Sequence, residues 1–252
     1  MIDLTGQHVF VAGGSRGIGR ATALIAARAG AAVTVNYLSN EEAARAVVAE
    51  IEAGGGRAFA VQADIAEDGA CDRAMDAAVE ALGPLTGCVI SAGVFEPSPI
   101  HEMTTEFWDR VMAVNVRGSF LAVRAAARHL CPRGKGGSIV LYTSTAGQRG
   151  SSVYSAYATS KGAQLLFMRS MAKELAADRI RVNCVAPGWT DTDMSREPID
   201  AEGRDKVIAS MPLGRIGRPE DPANAAVFLL SDMAEFITGS TITVDGGFDM
   251  RG

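Results

Sequence analysis

The chain has 252 residues, of which 48% are hydrophobic, 21% charged and 6% aromatic, a profile that excludes a disordered or fibrous protein and suits one or two globular domains. Lys and Arg number 24 against 29 Asp and Glu, with no basic stripe, so no nucleic-acid partner is expected. The three histidines lack zinc-ligand spacing and the four cysteines form no CxxC pair, so no metal is expected and a reduced setting fits. The start, MIDLTGQHVF, has an acid where a signal peptide needs basic residues, and no uncharged apolar stretch reaches the length of about 18 residues that a membrane span needs. A cytoplasmic protein with no membrane association is therefore expected.

In chain order, a strand at 9–12 runs through a glycine-rich turn into a helix at 18–29. Further strands are predicted at 32–37, 57–62, 87–90, 138–143, 181–186 and 241–244, with amphipathic segments between most of them and a helix at 219–230. Breakers punctuate the series at Gly54-Gly55-Gly56, at Gly83-Pro84 and over 132–137. Strands so continuously apolar must be buried on both faces, and parallel pairing requires long crossovers. The expected fold is therefore α/β: a single-domain, Rossmann-type, doubly wound parallel sheet of about seven strands with helices on both faces, spanning residues 1–252. Residues 191–212 stand apart as a polar, weakly helical insertion after a strand end, where a substrate lid would lie.

The turn Ala12-Gly13-Gly14-Ser15-Arg16-Gly17-Ile18-Gly19 follows a strand and opens a helix. Glycines there allow close backbone approach, and the unpaired amides of a helix start attract phosphate, so a pyrophosphate is the natural occupant; a tight turn without ligand is the plain alternative. Gly13 to Gly17 also satisfies GxSxG, but a nucleophile elbow needs strands and an oxyanion loop upstream, and only a dozen residues precede Ser15. Neither Lys135 nor Lys161 sits in a P-loop frame.

Tyr157 and Lys161, four residues apart, share a helix face. An ammonium beside a phenol favours phenolate, which would let the tyrosine exchange protons near neutral pH, although such pairs are often plain surface contacts. Ser144 ends an apolar strand at the edge where open α/β sheets bind ligands, thirteen residues before Tyr157. Asn115 closes the apolar run 111–114 and would otherwise be a capping or core-satisfying amide.

With these residues together, the chain resembles the short-chain dehydrogenase/reductase family from residue 4 to residue 248. The matching features are Gly13, Gly17 and Gly19, Asp64 before Ile65, Ala92-Gly93, Asn115, Ser144, Tyr157 with Lys161, and Pro187-Gly188 followed by Thr192. The resemblance implies Tyr157 as proton donor and acceptor and Lys161 as its tuning cation and ribose ligand. It further implies Ser144 as the hydroxyl orienting the substrate oxygen and Asn115 as support for a relay water. The cofactor contacts it implies are Gly13, Ser15, Arg16, Gly17, Ile18, Gly19, Tyr37, Asp64, Ile65, Ala92, Gly93, Tyr157, Lys161, Pro187, Gly188, Thr190 and Thr192. Tyr154 has no cation four residues on and is expected to line the substrate pocket with Phe95, Glu96, Trp189 and Met194. The chain departs from the family at Ala12, where Thr is usual, and at Ile90-Ser91, where Asn-Asn is usual, which puts local hydrogen bonding there in doubt.

NAD selectivity in such folds rests on an acid ending the second strand. Here Tyr37-Leu38 stand at that point and Arg16 can reach a 2′-phosphate, so NADP(H) is favoured, with NAD(H) left open. The branch resembled is that of the 3-oxoacyl-carrier-protein reductases, which makes a 3-oxoacyl-type ketone the first expectation for the substrate. Sugar, polyol or other secondary-alcohol dehydrogenation is the alternative, and a noncatalytic NADP-binding sensor a remote one. An acyl carrier protein would land on basic residues such as Arg128, Arg133 and Lys135, which a solvated loop explains equally. Leu165 to Met168, four consecutive apolar residues, point to all sides of a helix and predict a homo-oligomer, a tetramer by resemblance, unless the lid or C-terminal tail covers that face.

Overall fold

The computed structural model describes residues 2–250. In chain order the elements are β1 (His8–Ala12), α1 (Gly17–Arg28), β2 (Ala32–Tyr37), α2 (Glu41–Ala53), β3 (Ala58–Gln62), α3 (Ala70–Leu82) and β4 (Gly87–Ile90). There follow α4 (Thr105–Met112), α5 (Gly118–Leu130), β5 (Gly137–Tyr142), α6 (Thr145–Arg149), α7 (Ser155–Glu174), β6 (Ile180–Pro187), α8 (Arg196–Glu202), α9 (Arg204–Ala209), α10 (Glu220–Leu230) and β7 (Thr241–Val244). The expected strands all form, their ends moved by one residue at most.

All pairings are parallel, in the order β3-β2-β1-β4-β5-β6-β7. Alternation along each strand explains the two layers of helix. Phe10, Ala12, Cys88, Ile90, Ile139 and Leu141 pack to one face with α3, α5 and α7, whereas Val9, Val11, Val33, Val35, Val89 and Val140 pack to the other with α1, α2 and α10. Truncating one of these buried aliphatics to Ala would cost about 2–5 kcal/mol. The connections run to opposite sides of the sheet at the β1/β4 boundary, so the C-terminal ends of those strands splay around a crevice.

Two local features build that crevice. Gly13 and Gly19 are in contact beneath the turn: a Cβ on Gly19 would overlap the Gly13 carbonyl, and one on Gly13 would lie 2.8 Å from the Ala92 backbone. Residues 113–117 form a single π turn joining α4 to α5, and Asn115 sits fully buried inside it. The insertion at 191–212 holds α8 and α9 and has a small core of its own, Ile199, Val207 and Met211 with Ile216, against which Trp189 and Phe248 pack. Among the described residues, no helix is long and apolar enough to cross a membrane.

Candidate active site

A continuous groove crosses the C-terminal edge of the sheet. Its outer part is lined by Gly13, Ser15, Arg16, Gly17, Ile18, Tyr37, Asp64, Ile65, Ala92 and Gly93. Its inner part is lined by Ser144, Tyr157, Lys161, Pro187, Gly188 and Thr190, and Ile18, Gly93 and Thr192 belong to both. Helix α1 opens into the groove with Arg16 at its cap position and no side-chain cap, so its first amides are left to whatever binds there. The turn is braced from below by Asn36, whose Oδ1 accepts from the Gly13 amide at 3.3 Å while Nδ2 donates to the Ala63 carbonyl at 3.1 Å. Asp64 caps its own loop by accepting from the Ala66 amide at 2.8 Å. At the departure from the family pattern the backbone is paired, the Ser91 amide donating to the Ala12 carbonyl at 2.9 Å.

In the inner part, Ser144 leaves the end of β5 and caps α6, accepting from the Ala146 amide at 3.1 Å, and it lines the pocket together with Tyr157. Helix α6 can lie directly on α7 because Gly147 has no side chain: a Cβ there would be 2.6 Å from the Lys161 backbone. Lys161, buried, donates from Nζ to the Tyr142 carbonyl at 2.8 Å, with Nζ 5.6 Å from the Tyr157 ring centre. Burial pushes the Tyr157 phenol up to about 12, against a smaller lowering by the neighbouring Ser144 hydroxyl. Burial likewise brings Lys161 down to about 8, and the nearby Cys184 thiol opposes this weakly. The expected depression of the phenol by the ammonium is not found here, and loss of hydration dominates both groups.

Asn115 and Gly19 do not line the groove. Gly19 lies under the turn against Gly13, and Asn115 sits behind the wall. The Asn115 side chain clamps Val94, accepting from its amide at 2.8 Å and donating to its carbonyl at 3.0 Å, and donates to Ser160 Oγ at 2.9 Å. Its own carbonyl accepts from Ser119 Oγ at 2.7 Å and Gln164 Nε2 at 2.8 Å, which uses both lone pairs.

The chain is similar to known proteins over nearly its whole length. A family model described as "Enoyl-(Acyl carrier protein) reductase" matches residues 12–249. The chain is 40% identical over 251 residues to a 3-oxoacyl-[acyl-carrier-protein] reductase of Synechocystis sp., covering 99% of this chain and 100% of that one. The chain belongs to the short-chain dehydrogenase/reductase family. It is also 39% identical over 245 residues to an L-rhamnose 1-dehydrogenase (NAD(P)(+)) of Sphingomonas sp., covering 97% and 96%. A crystal structure of a dehydrogenase/reductase from Sinorhizobium meliloti superposes with a TM-score of 0.91 at 40% identity, covering 98% of this chain and 97% of that one.

As a short-chain dehydrogenase/reductase, the protein is an oxidoreductase acting on a carbonyl or alcohol group. Its groove suits the family's nicotinamide dinucleotide: an uncapped helix start, a turn stripped of side chains and a run of small residues leading to Tyr157 leave room and donors for a pyrophosphate. Two expected pocket residues lie elsewhere. Tyr154 stacks behind Phe95, with centroids 4.3 Å apart and planes at 10°, and is not part of the lining. Glu96 turns to Arg110, which grips it with two bonds of 2.9 and 2.6 Å. Phe95, Trp189 and Met194 line the pocket as expected, and the sequence reading missed Asn36, Arg149 and Phe248. An Asn next to last in an otherwise apolar strand was a signal for Asn36; none marked the other two.

Proposed function

We propose that this enzyme transfers hydride between NADP(H) and a carbonyl or secondary alcohol, with Tyr157 as the acid and base, and that its substrate is a 3-oxoacyl-type ketone. The observation that carries the reading is the meeting of Ser144 and Tyr157, with Lys161, in the lining of one pocket at the C-terminal edge of the sheet. A sensor without catalysis would have no use for such a pair.

The residues that would hold the cofactor are Gly13, Ser15, Arg16, Gly17 and Ile18 at its phosphates, Tyr37, Asp64 and Ile65 at the adenosine end, and Ala92, Gly93, Lys161, Pro187, Gly188, Thr190 and Thr192 toward the nicotinamide. When bound, the nicotinamide supplies or accepts the hydride. Tyr157, held protonated by burial, is poised to give its proton to a substrate oxygen as that oxygen gains negative charge, while Ser144 donates a hydrogen bond to the same oxygen. In the reverse direction Tyr157 takes the proton from the alcohol, and the Lys161 charge stabilises the phenolate that then forms. Asn115 acts by holding Val94, and with it the loop after β4, in place.

Sugar or polyol dehydrogenation is a second reading. It is favoured by the state of the basic residues an acyl carrier protein would need: Arg128 is bound to Asp72 at 2.6 Å and Arg133 to the Leu85 carbonyl. The test is a carbonyl and alcohol panel followed at the nicotinamide absorbance with the wild type and Tyr157→Phe. The substitution removes a proton and almost no volume, so turnover should fall at least about 100-fold with cofactor binding retained. Near-normal turnover by the variant would refute the role.

A further inference from the structure

The inner pocket has an uneven charge. Its walls are aromatic and apolar, from Phe95, Trp189, Met194 and Phe248, and no Asp or Glu lines it. Two cations do. Lys161 is committed to the Tyr142 carbonyl. Arg149, the last residue of α6, is exposed and makes no ion pair among the described residues; its guanidinium carbon lies 4.5 Å from the centre of the Phe248 ring.

Many of the other arginines are held by a carboxylate or a carbonyl, as Arg110 is by Glu96, Arg124 by Asp68, Arg204 by Asp191, Arg215 by Asp221 and Arg181 by Leu229, and those without such a partner, Arg16 apart, lie outside both parts of the groove. Arg149 instead stacks on an aromatic face, which restrains the guanidinium plane while leaving its N–H donors unspent. Phe248 in turn packs against the small core of the insertion, so the ring is itself supported. An arginine fixed by stacking beside an apolar pocket, with no internal anion, recognises an anion brought by the ligand. Ser144 and Arg149 begin and end the same short helix, and five residues at about 1.5 Å each set their backbones roughly 7.5 Å apart along its axis. One end of α6 therefore addresses the reacting oxygen and the other a second group on the same molecule.

We propose that Arg149 is a specificity-determining residue that selects carbonyl or alcohol substrates carrying an anionic group, a carboxylate or a phosphate, a few bonds from the reacting carbon. This rests on the hydride transfer proposed above and, within it, favours a free oxo acid or a phosphorylated ketone over a 3-oxoacyl thioester, which carries no anion near the reacting carbon. Neutral ketones of the same size lack the partner, and an acidic pocket wall that would repel an anion is missing.

The test compares matched pairs as substrates with NADPH and with NADH: levulinate and its methyl ester, acetoacetate and its methyl ester, dihydroxyacetone phosphate and dihydroxyacetone. The anionic member should be favoured at least about tenfold in kcat/KM, chiefly through KM. Preference in the first two pairs identifies a carboxylate, and preference confined to the third a phosphate. Arg149→Met should cut the ratio within the pair at least about tenfold and Arg149→Lys should keep part of it, since a point charge replaces a planar fork. Neutral members used as well as anionic ones, or a ratio that Arg149→Met leaves within about twofold, would overturn this inference alone. Reduction of no member with either cofactor would overturn it together with the function on which it rests.

Discussion

Lys161 Nζ is hydrogen-bonded to the Tyr142 carbonyl at 2.8 Å, so the cation of the pair is anchored to the end of β5 and not to the phenol it serves. Removal from water lowers this ammonium from 10.5 to about 8, whereas an unfolded chain would leave it unperturbed. The unfolded state therefore binds more protons between pH 8 and 10.5, and the lysine's contribution to stability rises with pH across that window and is lost as pH falls through about 8. The full difference amounts to about 3 kcal/mol. Urea unfolding of the wild type and Lys161→Met at pH 7, 8, 9 and 10 isolates it. The wild type should gain on the variant as pH rises; parallel curves would show that the ammonium keeps its ordinary affinity for protons. Tyr157 has the opposite sign, its contribution present below pH 10 and lost as pH rises through about 12.

Cofactor choice should follow the end of β2. Arg16 and Leu38 border the outer groove, Leu38 with 60% of its surface exposed, and no acid stands among the groove-lining residues 36–40. Fluorescence titration should give tighter binding of NADPH than NADH by at least about tenfold, and Arg16→Ala should remove most of that margin. Tyr37→Asp should move the ratio toward NADH, but Tyr37 packs into the core, so Leu38→Asp provides the same charge without burying it. An NADH affinity equal to or above that for NADPH would reverse the assignment.

Helix α7 leaves an apolar surface uncovered. Met168 and Leu165 turn inward to the core, Phe167 meets Phe120 of α5 edge to face at 6.4 Å, and Leu166 remains 65% exposed. Neither the insertion nor the C-terminal residues described here cover Leu166, which leaves a second copy of the chain as the expected cover. Light scattering on a sizing column should report an oligomer at micromolar concentration, and Leu166→Glu should break it toward 26.3 kDa chains. A wild-type monomer would remove the expectation.

Val153, between α6 and α7, holds a φ of 56°, a region that β-branched residues avoid. Its carbonyl accepts from the Ser98 amide at 2.7 Å, and that bond ties the conformation to the loop after β4 while the side chain stays 44% exposed. Val153→Asn should stabilise the protein by about 1 kcal/mol, since Asn tolerates this conformation and no packing is lost. Thermal unfolding decides; an unchanged or lower midpoint would show that the strain is not stored there.

Much of this protein was legible in its residue order because the signals are local. Alternate burial of strand residues such as Val9 and Phe10 requires a sheet covered on both faces, and parallel pairing follows from the lengths between strands. The glycine turn, the four-residue spacing of Tyr157 and Lys161 and the position of Ser144 at a strand end are equally short-range, and the structure brings those side chains to one groove. What only the tertiary structure decided depends on contacts between distant segments. Asn115 is a clamp for Val94 because a π turn points it at the β4 loop, Glu96 leaves the pocket because Arg110 of α4 holds it, and Tyr154 is screened by Phe95. Arg149 meets Phe248 although 99 positions separate them. No periodicity encodes such meetings, since each is settled by which side chains the packed sheet and helices leave within reach of one another.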